Sequence, residues 1–351
     1  MIDLTFYKGK RVFITGNTGF KGTWLCAVLN MLGANVYGYS HKKYDFYKMC
    51  ELDKSINTKI ADIRDKNVLK RQMSKFEPEI VFHLAAQPLV MEGYHSPVYT
   101  YETNVMGTVN ILEAVSSCKS VKAVVNVTTD KVYQNIDSNK AYKENDRICG
   151  IDPYSNSKSC SELITFSYIN SFFKDDDSNI NLATARAGNV IGGGDFAENR
   201  IIPDCIKAAE KGETIIVRNK SSIRPWQHVL DPLVGYLILA KALFNGSISK
   251  TSFNFGPSEN NFINVGELVD LFCSMWGNGA KWDYKPDPNT HLESKTLTID
   301  SSLAKKLLKW SPVWDAEKAV AMTVKFHKDI ASGKPAKLIM NEQINGYLSY
   351  L

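Results

Sequence analysis

Several features are missing from this sequence, and each absence narrows its function. The seven cysteines include no C-x-x-C pair and no zinc-type spacing, so we expect neither a disulfide framework nor a metal site. No apolar run approaches the roughly 18 residues that a membrane-spanning helix needs, and the N-terminal residues contain no uninterrupted signal-peptide core. These absences predict a soluble protein of the reducing cytoplasm that does not act at a membrane.

The chain also lacks a concentration of charge. Its 351 residues carry a formal net charge of +5, and the basic residues form no stripe with interleaved aromatics. A nucleic acid-binding surface normally shows such a stripe, so we do not expect a nucleic acid partner. The slight basic excess would instead suit an anionic small molecule.

Short apolar runs alternate with helical periods through the first half of the chain. This order predicts an α/β fold, a doubly wound parallel sheet of the Rossmann type with helices on both faces. Such sheets bind ligands beyond the carboxyl ends of their strands, so the residues just after each strand are the candidate site. Strands are predicted at 11–15, 35–39, 80–85, 123–128 and 181–186, and helices at 20–32, 66–75, 104–118 and 155–173.

The first predicted strand ends in a glycine-rich turn that opens a helix, with the sequence GNTGFKG. Glycine permits the tight turn and lets backbone N–H groups approach a pyrophosphate at the helix N-terminus. Such glycine patterns also occur in purely structural turns, but this one directly follows a buried strand at the start of a βαβ unit. It therefore predicts a dinucleotide site. The candidate cofactor residues are Gly16, Thr18, Gly19, Phe20 and Gly22.

The pattern changes near residue 190, where three glycines (192–194) and Pro203 interrupt the alternation. A helix and a strand within 226–256 return to the sheet. We therefore assign residues 1–189 and 226–256 to a Rossmann domain that binds the dinucleotide, which the resemblance described below implies is NAD. Residues 190–225 and 257–351 are assigned to a smaller C-terminal substrate-binding lobe.

The end of the second strand should distinguish the two nicotinamide cofactors. An acidic residue there selects NAD, whereas a basic residue accommodates the extra phosphate of NADP. The chain reads Tyr39-Ser40-His41-Lys42-Lys43, with no acid. This favours NADP on physical grounds, unless the lysines form a solvated loop. Ser40, Asp62 and Ile63 are candidate contacts of the adenosine, although Asp62 could instead cap the helix that starts at Lys66.

Small residues end the fourth strand, in the sequence Leu84-Ala85-Ala86-Gln87. They could let a cofactor lie against the backbone, and tight packing is the alternative explanation. After the next strand come a hydroxyl, a carboxylate and an amine in succession, Thr129, Asp130 and Lys131. An ordinary surface salt bridge would contribute little there. Acid/base chemistry is the functional alternative.

Downstream, Tyr154 and Lys158 are spaced i and i+4, so they share one face of a helix. A lysine ammonium near a phenol favours the phenolate, which would bring the tyrosine toward useful basicity at neutral pH. The spacing alone is common on helix surfaces. Together with a dinucleotide turn and a threonine at a strand end, it predicts a redox site.

These stretches resemble the extended short-chain dehydrogenase/reductase superfamily through nearly the whole chain. TGNTGFKG, HLAAQPLV, TTDK, DPYSNSK, RAGNVIGGGD and RPWQHVLDPL are most similar to the CDP-glucose 4,6-dehydratase group within it. The resemblance implies NAD as cofactor, against the weak lysine signal. It also implies cofactor contacts from Asn104, Thr128, Tyr154 and Lys158.

The resemblance implies an internal redox cycle on a nucleotide sugar. Tyr154 would take the proton of the 4-hydroxyl while hydride passes from C4 to NAD+, and Thr129 would bind the 4-oxygen. Water is then eliminated across C5 and C6, and the hydride returns to C6. Asp130 and Lys131 would serve the elimination, in an order that stays open.

Substrate contacts are expected from residues that suit a diphosphate and a sugar. Arginine forks match phosphate oxygens bidentately, and the resemblance gives most support to Asn189, Arg218 and Arg224. It also implies that segments 97–118 and 155–173 pair in a homodimer or higher oligomer. The full set of substrate candidates is Gln87, Asn189, Arg200, Arg218, Arg224 and His228.

Other functions remain open at this stage. A C4 epimerase, a ketoreductase or a dehydratase of another nucleotide sugar would share the fold, although the first two have no need of Asp130 and Lys131. A non-catalytic dinucleotide-binding protein is a further alternative. Met91-Glu92 stands where relatives usually carry a basic residue, which leaves the sugar and the base open.

Overall fold

The computed structural model describes residues 3–137, 140–174, 179–258, 261–286 and 295–351. Its strands, in chain order, are β1 (Arg11–Thr15), β2 (Asn35–Ser40), β3 (Asn57–Ile60), β4 (Ile80–His83), β5 (Ala123–Val127), β6 (Asn181–Ala187), β7 (Val190–Ile191), β8 (Ile215–Val217), β9 (Ile223–Arg224), β10 (Gln227–His228), β11 (Ser252–Phe255), β12 (Ile263–Asn264) and β13 (Trp282–Tyr284).

The α-helices surround these strands. They are α1 (Phe20–Met31), α2 (Asp45–Met49), α3 (Lys66–Phe76), α4 (Val90–His95), α5 (Pro97–Tyr101), α6 (Gly107–Ser116), α7 (Pro153–Phe172), α8 (Ile201–Glu210), α9 (Leu230–Phe244), α10 (Val265–Trp276), α11 (Ser302–Leu308), α12 (Ala316–Ala331) and α13 (Ala336–Leu348). A π-helical turn, Glu102–Met106, joins α5 to α6, and a 3₁₀ turn, Asp130–Val132, follows β5.

The central sheet has seven strands in the order β11-β6-β5-β4-β1-β2-β3. Every pairing within it is parallel. The order reverses between β1 and β4, which is where doubly wound sheets open a crevice for a ligand. The predicted Rossmann-type fold is therefore confirmed.

Both faces of the sheet are buried, which explains its continuous apolar strands. Val12 and Ile14 point into one core while Phe13, between them, points into the other. β5 repeats this pattern, with Val125 in the first core and Val124 in the second. Successive side chains of a strand face opposite sides, so helices must cover both.

Some predicted elements differ from the observed ones. The sequence analysis counted a strand before Asp62 but gave no range for it; this strand is β3, which is short, polar and mostly exposed at the edge of the sheet. β4 ends at His83, two residues before its predicted end, so the small residues 84–86 lie in the loop. The predicted helix 104–118 begins within the π-helical turn and ends at Ser116.

A second, smaller core lies in the C-terminal part of the chain. α8, α10 and α12 enclose apolar side chains with β8, and Trp226 is buried among them. The predicted lobe was too wide, however. α13 and the two tryptophans Trp310 and Trp314 belong to the core of the main sheet, since Tyr347 and Trp310 both donate hydrogen bonds to Asp231 of α9. The remaining boundaries stay a prediction.

The sequence analysis also expected neither a membrane-spanning helix nor a metal site. Within the described ranges, no helix is long and apolar enough to span a membrane, and no cluster of side chains in those ranges could hold a metal ion. The cysteines are free thiols.

Candidate active site

The glycine-rich turn lies where β1, β4 and α1 meet. Gly16 has φ +73°, and a Cβ there would lie 2.7 Å from the backbone nitrogen of Ala85. A Cβ at Gly22 would lie 2.1 Å from the carbonyl oxygen of Gly16. Both positions therefore require glycine, because a side chain would collide with backbone. A Cβ at Gly19 would meet only the Gly16 carbonyl oxygen, at 3.4 Å, so this side of the turn is open.

The start of α1 offers unused hydrogen-bond donors to that open side. The N-cap, Gly19, has no side chain to accept them, and Phe20, Lys21 and Gly22 find no backbone acceptor within the described ranges. Free N–H groups at a helix N-terminus suit a phosphate. Thr18 fixes the turn against β2, since its hydroxyl donates to Ser40 Oγ at 2.9 Å. These residues fit the diphosphate of a dinucleotide.

Two of the three predicted adenosine contacts, Asp62 and Ile63, lie just beyond the end of β3, whereas Ser40 ends β2. Asp62 forms an ion pair with Arg64, with Oδ2 and Nη2 2.8 Å apart, and it does not cap α3. Asp65 does so, accepting from the backbone of Asn67 and Val68, so that alternative role of Asp62 was wrong. The Ile63 side chain is buried beneath Gly107, which leaves only its backbone to contact a ligand.

Asn104 and Gln87 form a network within the protein instead of facing outward. The Asn104 amide accepts from Gln87 N at 2.8 Å and donates to Gln87 O at 3.0 Å and Ser157 Oγ at 2.9 Å. The Gln87 amide donates to Thr100 and accepts from Leu89 N. The predicted cofactor contact of Asn104 and substrate contact of Gln87 are therefore not what their side chains do here. They join the β4 end to α7.

Leu84, Ala85 and Ala86 remain partly exposed beside the glycine turn. Gly16 approaches the backbone of Ala85 more closely than any side chain would permit. Small residues at this strand end thus serve the close packing of β1 on β4, and they leave the crevice above open.

Thr129 and Asp130 lie side by side beyond β5. The Thr129 hydroxyl donates to Asp130 Oδ1 at 3.0 Å, and it also acts on the Tyr154 phenol, whose pKa it lowers. Asp130 is 1% exposed, and its Oδ2 has no hydrogen-bond partner in the described part of the chain. Burial raises the pKa of Asp130, although Lys131, Thr129, Arg224 and Lys21 oppose this shift. A carboxyl of this kind can hold and donate a proton.

Tyr154 and Lys158 both lie on the buried face of α7, but they do not interact as predicted. Burial raises the pKa of Tyr154 to about 12, and Lys158 is not among the groups that shift it most. The Lys158 ammonium donates to the Val127 carbonyl at 3.2 Å instead. Burial also lowers the pKa of Lys158 to about 8. The expected lowering of the tyrosine pKa by this lysine is therefore wrong for this structure.

A buried ion pair joins α7 to β6 next to the site, and the sequence analysis missed it. Arg186 and Glu162 are each 2% exposed and 2.8 Å apart. Glu162 also accepts from the hydroxyls of Thr128 and Thr184, and Arg186 donates to Tyr133 at 2.8 Å. The sequence did contain a signal for this ion pair. Glu162 follows Lys158 by four residues on the buried face of α7, and Arg186 lies inside an apolar strand.

The predicted substrate residues fall into different surroundings. Arg200 pairs with Asp195 at 3.0 Å, and Arg218 donates to Asn199 at 3.5 Å. Arg224 lies within the electrostatic range of Asp130. Arg200 directly precedes α8, Arg218 directly follows β8, and Arg224 ends β9. The three arginines therefore come from segments outside the central sheet.

Asn189 and His228 differ from the arginines. The Asn189 carbonyl accepts from Gln227 N at 3.1 Å, and its side chain is partly exposed. His228 is completely buried between Trp24 and Trp314, and burial lowers its pKa to about 3. The prediction that His228 contacts a substrate was wrong, because its ring packs in the core.

The fold and this set of side chains are those of the short-chain dehydrogenase/reductase class, which work on a bound dinucleotide. The sequence model of the family described as GDP-mannose 4,6 dehydratase matches residues 13–323, and the chain belongs to that family. Among curated relatives, a CDP-glucose 4,6-dehydratase of Salmonella typhimurium is 43% identical, over 99% of each chain. A dTDP-glucose 4,6-dehydratase of Xanthomonas campestris is 25% identical, over 76% of this chain and 77% of its own.

Solved structures show the same fold. An epimerase of Methanothermobacter thermautotrophicus superposes with a TM-score of 0.82 at 23% identity, over 94% of this chain and 95% of its own. A dTDP-glucose 4,6-dehydratase of Bacillus anthracis, solved in complex with NAD, has a TM-score of 0.77 at 19% identity, over 93% and 99%. At this identity the likeness concerns the fold alone.

Proposed function

We propose that the protein is a nucleotide-sugar 4,6-dehydratase, an NAD-dependent hydro-lyase that converts CDP-glucose to CDP-4-keto-6-deoxyglucose and water. The observation that carries the proposal is Asp130, a buried carboxyl with one unpartnered oxygen, next to Thr129 and Tyr154. Epimerisation and ketone reduction do not need such a group. The full-length identity of 43% with the Salmonella enzyme supports the base and the sugar.

The protein side chains divide the chemistry between them. Bound at the glycine turn, NAD would take the hydride from C4 and later return it to C6. Tyr154 accepts the proton of the 4-hydroxyl, and Thr129, whose hydroxyl acts on the same phenol, holds the 4-oxygen. Lys158 adds a positive charge to the site, and its ammonium is held in place by the hydrogen bond that it donates to the Val127 carbonyl.

The elimination of water falls to Asp130 and Lys131. A raised pKa keeps the Asp130 carboxyl protonated to a higher pH than an exposed aspartate, so we assign it the donation of a proton to the departing C6 hydroxyl. Lys131, on the 3₁₀ turn beside it, is then the group left to take the C5 proton, which it can accept only as the neutral amine. The ketone at C4 makes that proton acidic.

NAD is also the cofactor that the β2 end supports. The Lys42 ammonium lies over the Tyr44 ring, 4.4 Å from its centroid. This contact occupies one of the two lysines that follow β2 and so weakens the signal for a 2′-phosphate. The lysines after β2 are therefore weaker evidence for NADP than the sequence alone suggested.

The proposed compartment is the reducing cytoplasm. The seven cysteines are free thiols, and Cys26, Cys50, Cys118 and Cys205 are buried as small apolar side chains. Thiols in this number persist where the surroundings are reducing.

The proposal is tested with CDP-, dTDP-, UDP- and GDP-glucose, followed by mass spectrometry for the loss of water. We expect CDP-glucose to give the keto product without net formation of NADH. Asp130→Asn should still oxidise C4 but not eliminate, so the absorbance of reduced nicotinamide should accumulate with substrate. If none of the four sugars loses water, the dehydratase assignment fails; a new C4 epimer in its place would establish the alternative.

A homodimer is proposed through α5, α6 and α7. Four apolar side chains here are at least half exposed: Val98 of α5, Met106 of the π-helical turn before α6, and Leu163 and Phe166 of α7. Exposed apolar side chains in such number usually mark an interface. The resemblance to enzymes that pair these helices supports the same conclusion.

Phe166→Asp should therefore convert the dimer to a monomer, because a carboxylate would be buried in an apolar interface. Light scattering after size-exclusion chromatography measures the mass directly. Leu338→Asp is the matched control, since Leu338 is an exposed leucine of α13 away from these helices. A Phe166→Asp protein that keeps the mass of the wild type would contradict this interface.

A further inference from the structure

Ser159 is a buried serine of α7 whose hydroxyl the mechanism above does not use. It directly follows Lys158 and is 3% exposed. Its Oγ accepts a hydrogen bond from Gly150 N at 2.9 Å and donates one to the Val132 carbonyl at 2.9 Å. A serine hydroxyl has one proton to donate and lone pairs that accept, so it can make both bonds at once. Ser159 therefore connects two loop segments to α7.

The bond to Val132 competes with a bond inside the helix. A serine within a helix often donates to the carbonyl four residues earlier, which for Ser159 is the Ser155 carbonyl at 3.1 Å. The Val132 carbonyl is nearer, and the Ser155 carbonyl already has the position that accepts the backbone N–H of Ser159 in an α-helix. We therefore take Val132 as the main acceptor of the Ser159 proton.

Val132 is the last residue of the 3₁₀ turn that carries Asp130 and Lys131. The first of these residues directly follows Thr129, just beyond β5. The Val132 carbonyl also accepts from Cys149 N at 2.9 Å. The turn is therefore held by β5 at its start and by the Val132 carbonyl at its end.

The two ends of the turn serve different steps of the proposed reaction. Thr129, beside β5, holds the 4-oxygen during oxidation, whereas Asp130 and Lys131 serve the elimination of water. The Asp130 carboxyl is also fixed by its hydrogen bond from Thr129 at 3.0 Å. Lys131 directly precedes Val132, so loss of the Ser159 bond should displace Lys131 most and Thr129 least.

We propose that Ser159 is a positioning residue for the elimination of water, and this inference rests on the proposed function. In that step Asp130 gives its proton to the departing C6 hydroxyl, and the neutral Lys131 amine takes the C5 proton. The electron pair of the C5–H bond forms the C5–C6 double bond as the C6–O bond breaks. Ser159 acts on this step through the Val132 carbonyl, which sets where the turn places both groups.

The test compares Ser159→Ala with Ser161→Ala. Ser161 is the matched control because it lies on the same helix, is 1% exposed and is also hydrogen-bonded through its Oγ, to Thr108 at 2.8 Å and to Asn126 at 3.0 Å. Each variant loses one buried hydroxyl with two such bonds, so their urea midpoints should fall by similar amounts. The bond to the 3₁₀ turn is lost in Ser159→Ala alone.

The two steps are measured separately after mixing with CDP-glucose. Absorbance of reduced nicotinamide follows the oxidation at C4, and mass spectrometry follows the loss of water. We expect Ser159→Ala to slow elimination relative to oxidation by about 10- to 100-fold, the effect of moving a reacting group by about 1 Å. Reduced nicotinamide should then accumulate. Ser161→Ala should keep the wild-type ratio, and Ser159→Thr, which retains the hydroxyl, should restore most of it.

Hydrogen exchange tests the contact itself without substrate. The amides of Val132, Tyr133 and Gly150 should exchange faster in Ser159→Ala than in Ser161→Ala. If these amides exchange alike in the two variants, the Ser159 hydroxyl does not hold the turn and the proposal is wrong.

The outcomes distinguish this proposal from the proposed function. If the wild type removes water from CDP-glucose and Ser159→Ala keeps the wild-type ratio of elimination to oxidation, Ser159 does not position the elimination and the dehydratase assignment stands. A wild type that binds NAD+ but removes water from none of the four sugars would overturn the proposed function and the elimination role together. The exchange comparison would then still show whether Ser159 holds the turn.

Discussion

Replacing Tyr154 by phenylalanine is expected to lower kcat for dehydration by about 10²- to 10⁴-fold, the usual contribution of a positioned acid/base group. The phenol is the group whose pKa the Thr129 hydroxyl lowers, and the 4-oxygen of the sugar would lie next to both. Phenylalanine keeps the ring and its packing but cannot accept the proton. NAD+ binding, followed by fluorescence quenching, should change little.

The pH dependence gives the same residue a second signature. Burial raises the pKa of Tyr154 to about 12, so the phenol is protonated at neutral pH in the free enzyme. Since the reaction needs the deprotonated form, kcat/KM should rise with pH through the neutral and alkaline range. Lys158→Met should leave the position of this rise unchanged, because Lys158 is not among the groups that shift the pKa of Tyr154 most.

A tyrosine on the same helix provides the control. The Tyr168 hydroxyl donates to Glu113 at 2.7 Å, on the exposed side of α7, and Tyr168→Phe should leave kcat unchanged. If Tyr154→Phe keeps kcat within about tenfold of the wild type, Tyr154 cannot be the group that accepts the proton.

The residues near these catalytic groups show which features the sequence could reveal. Gly16 and Gly22 were predictable because their reason is local, namely a turn too tight for a side chain. Thr129, Tyr154 and Lys158 were predictable because strand ends and helix spacing bring them together. The doubly wound order followed from the same alternation of strands and helices.

Features that depend on distant packing were not predictable. Gln87 and Asn104 are polar residues beside a predicted site, yet they bond to each other because the π-helical turn carries Asn104 back toward β4. His228 follows an arginine-rich stretch, but its ring lies between two tryptophans from remote segments. The range of β3 escaped prediction because an exposed edge strand does not need an apolar pattern.

Arg186→Met is expected to destabilise the protein by about 3–5 kcal/mol, the cost of breaking a buried ion pair by removing one partner. Methionine fills much of the volume but leaves the Glu162 carboxylate buried without its cation. Arg186 donates to both carboxylate oxygens, from Nε at 2.9 Å and from Nη2 at 2.8 Å. The Lys158 ammonium also acts on this carboxylate, but its hydrogen bond goes to the Val127 carbonyl.

The urea midpoint of unfolding measures this loss, and two further variants fix its cause. Lys325→Met removes an exposed pair with Asp329 and should cost less than about 1 kcal/mol. Adding Glu162→Met to Arg186→Met should recover part of the stability, since the double variant no longer buries an unpaired charge. A single Arg186→Met variant that unfolds at the wild-type urea concentration would show that the pair does not stabilise the fold.

The same pair also connects stability to catalysis. Glu162 binds the Thr128 hydroxyl and follows Lys158 by one turn of α7, so it fixes the β5 end and the helix that carries Tyr154. We therefore expect Arg186→Met to lower kcat even at temperatures where it stays folded. The Lys325→Met control should keep the wild-type kcat. Unchanged turnover by folded Arg186→Met would confine the pair to stability.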